Sequence, residues 1–223
     1  MGDTEKSIPF FDRDEESKHL QIWGVPHALI DNGTLAELYV VLTRSIGKEM
    51  TRRFFYDSAK KAARNLQNSM LDMSNAKTDD VDKLVDRISK FPFYVSSYGY
   101  GTGETIKSDA RSGKFLFRIE HSFIADELKD RGLEDPTCSF IAGIFAGLAE
   151  AWTGEEYSCR ELHCASNGSP FCDFELFPGS LTDKFFGEIE NIKNVLTKLD
   201  DAVESIHETM QNKNVSQKSN SDL

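Results

Sequence analysis

Three cysteines and one acid carry the chemistry most worth testing in this chain: Cys138, Glu161, Cys164 and Cys172. Thiolates and carboxylates are donors for a closed zinc site, which takes four protein ligands in a tetrahedron. Such a set around Zn²⁺ carries a net charge of about −2, and Arg160 and His163 lie close enough in sequence to offset it. Glu161-x2-Cys164-x7-Cys172 falls on one expected hairpin, and Cys138 arrives from the start of the preceding helix. Residues three apart on a regular strand face opposite ways. Glu161 and Cys164 can therefore meet one ion only if the strand bulges or ends between them. Cys159, Glu161 and His163 share a face without a bulge, so Cys159, His163 and Cys172 form a competing set. A third reading makes all four cysteines small buried hydrophobes. Thiolate-rich ligation also suits iron, although a Glu in the set disfavours a cluster.

The surroundings favour metal over disulfides. Residues 1–16 are polar and acidic, without the basic and apolar runs of a secretory signal. The most apolar stretch, Phe140 to Trp152, is interrupted by Glu150 and falls short of the roughly 20 residues of a spanning helix. A cytoplasmic location with reduced thiols is expected. The net charge of −11 excludes a basic nucleic-acid surface and disfavours docking on anionic membranes.

The elements that must position these residues read as follows. Residues 1–30 form an N-terminal extension, with Ile8, Pro9, Phe10 and Phe11 as a docking strip. Leu35, Leu38, Leu42, Ile46, Met50 and Phe54 recur at helical spacing, predicting one long helix from Leu35 to Met73. Thr34 and Glu37 form a capping-box pattern at its start. Asp79 to Lys90 predicts a second helix facing inward through Val81, Leu84, Val85 and Ile88. Phe91 to Tyr100 reads as aromatic and β-prone, and Phe115, Phe117 and Ile119 alternate along a strand. Short and buried helices are expected over Ser122–Lys129 and Thr137–Trp152. Two strands, Glu156–Ala165 and Phe171–Phe177, flank the hairpin signal Asn167-Gly168. The fold class is α+β: an antiparallel sheet with helices packed on it, followed by a C-terminal coiled-coil helix.

That last helix is expected over residues 181–210. Ile189, Ile192, Leu196, Leu199, Val203, Ile206 and Met210 alternate three and four residues apart, a heptad seam, with Glu188 and Lys193 placed to pair across two chains. A homodimer follows, or a protein partner taken through the same seam. Residues 211–223 are polar and expected to be disordered.

Several residues together carry a resemblance. They are the run Phe115 to Ala125, Pro136-Thr137-Cys138, Gly143, Gly147, Thr153-Gly154, Glu161-x2-Cys164, Gly168 and Phe171-Cys172-Asp173-Phe174. This pattern resembles the 4-vinyl reductase domain family over roughly residues 31–178. The family is one of small ligand-binding modules, similar in fold to the small subunits of vesicle-tethering complexes. The sensor domains of bacterial aromatic-compound-responsive activators share the Cys, Glu, Cys, Cys order. The resemblance thus implies structural zinc on Cys138, Glu161, Cys164 and Cys172, with Cys159 a bystander. It further implies a small apolar or aromatic ligand in an adjacent pocket. Unlike those activators, this sequence has no G-x-x-x-x-G-K-[ST] loop and no helix-turn-helix after residue 180, so output is expected through a partner or the coiled coil.

Other candidates read as structure. Gly99-Tyr-Gly101-Thr-Gly103 lacks the spacing of a dinucleotide loop and is a sheet turn. Gly143-x3-Gly147 lets its helix pack closely on the sheet. His121, Ser122 and Asp126 lack a nucleophile elbow, which leaves Ser122 a helix cap, and His19 and His27 are isolated. Phe93, Tyr94, Tyr98, Phe115, Phe117 and Phe123 are candidate pocket residues in a chain with 16 Phe. The reading is a dimeric small-molecule sensor braced by zinc, with binding rather than catalysis as its role. Its rivals are a tetrapyrrole-binding or carrier protein and a scaffold like the tethering subunits.

Overall fold

The computed structural model describes residues 12–13, 17, 20–22, 25–28, 30–78, 80–129, 131 and 136–180. Both the coiled-coil segment 181–210 and the tail 211–223 lie outside these residues, as does the strip at residues 8–11. Short strands β1 (Asp12–Arg13), β2 (Leu20–Ile22) and β3 (Val25–His27) form an antiparallel meander that sequence reading did not anticipate. Helices α1 (Asn32–Ile46), α2 (Lys48–Ser74), α3 (Val81–Ile88) and α4 (Phe91–Ser97) follow. Then come β4 (Thr102–Asp109), β5 (Lys114–Glu120), α5 (Phe123–Leu128), α6 (Ser139–Thr153), β6 (Tyr157–His163) and β7 (Cys172–Pro178). The four later strands make an antiparallel sheet in the order β4-β5-β7-β6.

Alternation decides which face of that sheet is core. Phe115, Phe117 and Ile119 on β5 stand opposite Leu176, Phe174 and Cys172 on β7, and Cys159 and Glu161 extend the same rows onto β6. Helix α6 covers this face, with the Phe145 ring 4.7 Å from Phe117 and 5.6 Å from Phe174. Each buried Phe stabilises the packing by roughly 1.5–3 kcal/mol. On its other side α6 meets α2, not the sheet, through its two glycines. A Cβ on Gly143 would stand 2.3 Å from the Tyr56 carbonyl oxygen, and one on Gly147 only 2.1 Å from that of Lys60. Only glycine admits so close a backbone approach.

The contact has a second use. Strand β6 is a sheet edge, and α2 covers it: Cys159 N–H donates to the Tyr56 hydroxyl at 3.1 Å, and Lys60 Nζ donates to the Tyr157 carbonyl at 2.7 Å. Satisfying edge groups in this way blocks strand addition.

Local structure departs from the sequence reading in three places. The expected helix from Leu35 to Met73 is two helices, because Gly47 (φ 86°) closes α1 before α2 begins. The break rotates the buried face: Ala36, Tyr39, Val40, Phe55 and Tyr56 point inward, whereas Leu38 and Phe54 are exposed. At the start of α1 the cap is Asp31, accepting from Thr34 N–H at 2.9 Å, and Glu37 instead reaches Arg131. The aromatic run from Phe91 is a helix, because Pro92 in its first turn fixes a helical φ at a place where no N–H is missed.

Candidate metal centre and adjoining cavity

Four segments bring the cluster together. Cys138 is the N-cap residue of α6, Glu161 stands on β6, Cys164 follows the end of that strand, and Cys172 opens β7. The strand does bulge. Glu161 pairs with Phe174 and His163 with Asp173, so β6 carries one extra residue between them. The slip puts Leu162 and His163 outside and turns Cys164 back toward Glu161.

The geometry suits one ion. Cys138 Sγ lies 3.8 Å from Cys164 Sγ and 3.6 Å from Cys172 Sγ, and Cys172 and Cys164 are 3.9 Å apart. With Zn–S bonds of about 2.3 Å, two corners of a tetrahedron lie about 3.8 Å apart. One oxygen of Glu161 completes the group, and all four ligand atoms lie within 4.8 Å of one another. Glu161 Oε2 accepts the Cys138 N–H at 2.9 Å, whereas Oε1 is buried without a hydrogen bond. A buried carboxylate oxygen with no partner is costly in a folded protein, and a cation between it and the three sulfurs removes the cost. The residues present therefore fit a metal. All four cysteines are free.

Without an ion, the site holds its negative charge on Cys164. Hydrogen bonds from Cys138 and Cys172 pull the Cys164 thiol far below its ordinary range. Burial, then its bonds to Cys164 and Cys172, pushes Cys138 well up. At Cys172 the bond to Cys138 works downward, but the bond to Cys164, burial and nearby charge outweigh it and the thiol rises. Glu161 rises through burial and the adjacent Cys164.

Charge is compensated locally, and not by the residues that sequence spacing suggested. Arg160 bonds Glu175, and His163 faces Asp173, which also takes two bonds from Arg118. The sulfurs instead receive Thr137 N–H at 3.5 Å (Cys164) and Ala165 N–H at 3.3 Å (Cys172). Hydroxyls of Ser122 and Ser166 stand 3.2 and 3.1 Å from Cys138 and Cys164. The N-terminus of α6 adds a favourable dipole for an anionic cluster. Ser122 makes no side-chain cap bond to α5, so its hydroxyl serves the cluster. Thr137 and Ser166 neighbour Cys138 and Cys164 in sequence, the one signal that could have singled them out. Cys159 is buried apart from the group, its N–H held by Tyr56.

Beside this centre lies a cavity of about 290 Å³ walled mostly by apolar groups. Leu20, Ile22 and His27 from the meander face Leu35 of α1, Tyr98 and Tyr100 beyond α4, Phe123 of α5 and Phe140 of α6. Tyr100, Phe123 and Phe140 pack on one another with ring centroids 4.9–6.1 Å apart. Of the aromatics read from sequence, Tyr98 and Phe123 stand on this wall. Phe115 and Phe117 fill the core, Tyr94 packs against it partly buried, and Phe93 is 66% exposed. The cavity and the cluster share two short stretches: Ser122 touches Cys138 while Phe123 lines the cavity, and Phe140 lies two residues after Cys138. A wider groove of about 740 Å³ between α2 and the end of α6 is lined by polar groups such as Arg64, Asn68 and Lys77.

Sheet, covering helix and bulged hairpin together define a domain of the 4-vinyl reductase type, and residues 115–178 match the family model of that domain. The family resemblance carried by these residues thus stands over the stretch that holds all four cluster residues. Among solved structures, the phenol-responsive sensory domain of the transcription activator PoxR, with phenol, has the same fold. It aligns at a TM-score of 0.65 and 17% identity over 86% of this chain and 90% of that one. A trafficking protein particle complex subunit 3 from Naegleria fowleri covalently bound to palmitic acid aligns at 0.49 and 12% identity (67% and 95% covered). A vinyl-4-reductase family protein from Methanocaldococcus jannaschii aligns at 0.44 and 15% (69% and 85%). No curated protein matches the chain. Among the described residues no helix is long and apolar enough to cross a membrane.

Proposed function

We propose that residues 31–178 form a small-molecule-binding regulatory domain braced by one structural Zn²⁺ on Cys138, Glu161, Cys164 and Cys172. The observation that carries this reading is the buried cluster of three thiols and an orphaned carboxylate oxygen, next to an apolar cavity. The ion, when bound, cross-links the start of α6 to the β6–β7 hairpin and neutralises charge that burial penalises. Four protein ligands leave no open position for water, so its role is structural. The chain's own residues do the rest. Ser122, Thr137 and Ala165 hold the sulfurs in place, and Phe123 and Phe140 present the ligand wall from the same two stretches.

The cavity sits at the lower end of ligand-pocket volumes, which suits one or two rings rather than a macrocycle. An apolar or aromatic ligand is therefore preferred, and the phenol in the PoxR sensory domain agrees with that class. Ligand occupancy is read out as a change in the α6 and hairpin packing, passed on through the seam at residues 181–210 to a second copy or a protein partner. Native mass spectrometry with elemental analysis, on protein purified without added metal, tests the core of this. One zinc per chain, lost in Cys164→Ser and Cys172→Ser, is expected. A metal-free protein whose thermal stability those substitutions leave unchanged would sink it.

A further inference from the structure

Resting on the reading of this cavity as the ligand site, we propose that His27 is its specificity-determining residue. It would select ligands that carry a hydrogen-bond donor on an otherwise apolar ring. His27 lies on β3 and outside the segment that matches the family. Two observations define its chemistry. Nδ1 stands 2.7 Å from the Val25 carbonyl oxygen, which can only accept, so Nδ1 carries the proton. In the neutral ring, Nε2 then holds a lone pair and acts only as an acceptor. The ring is half-buried on the cavity wall, in register with Leu20 on β2, which also lines the cavity.

The remaining polar wall groups do not make this choice. Tyr98, Tyr100 and Asn32 each carry both donor and acceptor capacity, so they accommodate a ligand oxygen with or without its proton. Only an acceptor fixed in its tautomer discriminates. A ligand that fills the cavity without a donor displaces water from Nε2 and leaves it unpaired, a penalty incurred at every binding event. Sites built around such a bond reject analogues that lack the group far more strongly than apolar pockets reject a missing methylene.

The test uses the full chain and two probes of equal ring size, 2-naphthol and its methyl ether. The ether keeps the oxygen as an acceptor and loses the donor. Binding is followed by fluorescence titration in the wild type, His27→Leu and His27→Gln. The wild type is expected to bind 2-naphthol about tenfold or more tightly than the ether. His27→Leu should bring the two affinities within about twofold while still binding the ether, which shows that the cavity survives. His27→Gln, whose amide oxygen can accept, should keep part of the preference. Equal affinities in the wild type, or a preference untouched in His27→Leu, overturn the role of His27 and leave the cavity reading intact. Failure of the wild type to bind either probe overturns both.

Discussion

Replacing Gly147 with alanine tests whether backbone contact between α2 and α6 sets the geometry on which the cluster depends. On propensity alone the change is favourable, since Ala exceeds Gly by about 1 kcal/mol inside a helix. The structure reverses the sign. The new methyl would lie 2.1 Å from the Lys60 carbonyl oxygen and 3.0 Å from both Lys60 C and Arg64 N, all backbone atoms. No side-chain rotation relieves it, and the helices must part by about 1 Å to reach ordinary contact. Overpacking of this kind costs about 1–3 kcal/mol. The parting also strains the two contacts of Lys60 Nζ, to the Tyr157 carbonyl at 2.7 Å and to Glu150 at 2.8 Å. Losing a buried hydrogen bond costs about 1–3 kcal/mol more. Net destabilisation of about 2–4 kcal/mol is expected, a fall in Tm of roughly 4–15 °C. Urea and thermal denaturation of Gly147→Ala measure it directly. As a contrast, Gly154→Ala meets no atom within 4 Å and bears only the strain of its positive φ (73°), so its loss should be smaller. A Gly147→Ala protein as stable as the wild type would refute the close-packing argument.

Other perturbations have equally definite outcomes. Chelation at neutral pH should lower stability by about 3–5 kcal/mol by leaving buried charge unmatched, reversibly on adding Zn²⁺; a melting curve indifferent to both treatments contradicts the metal assignment. Tyr56→Phe removes the acceptor for the buried Cys159 N–H and should cost about 1–3 kcal/mol by urea titration, with no loss of bound metal. Burial raises the Tyr39 and Tyr56 phenols above their ordinary 10.0, so the folded state holds those protons longer than the unfolded chain. Their contribution is complete below pH 10.0 and declines as pH climbs beyond it. Stability followed from about pH 9 to about pH 11.5 should bend downward, less steeply in Tyr56→Phe, and an unchanged slope in the variant would count against it.

What the sequence settles here is local or compositional. The alternation of Phe115, Phe117 and Ile119 is a property of one strand, and Asn167-Gly168 marks one turn, so both were legible. The ligand residues were legible as types with a spacing, and the resemblance chose among the alternatives that spacing left open. Tertiary structure decided the rest. Whether Glu161 and Cys164 meet depends on one extra residue in β6, a matter of pairing with β7 that no periodicity records. The glycines of α6 read as a close contact, yet only the packed chain reveals α2 as the partner. Gly47 and Pro92 show opposite errors of one kind. Apolar spacing ran straight through Gly47, where a backbone with φ 86° ends the helix. Aromatic β preference at Phe91 to Ser97 gave way to a helix packed against the core. The cavity was least legible of all, because its walls come from β2, β3, α1, α5 and α6 and the loop after α4. Residues so far apart in sequence share a surface only after the elements between them have packed.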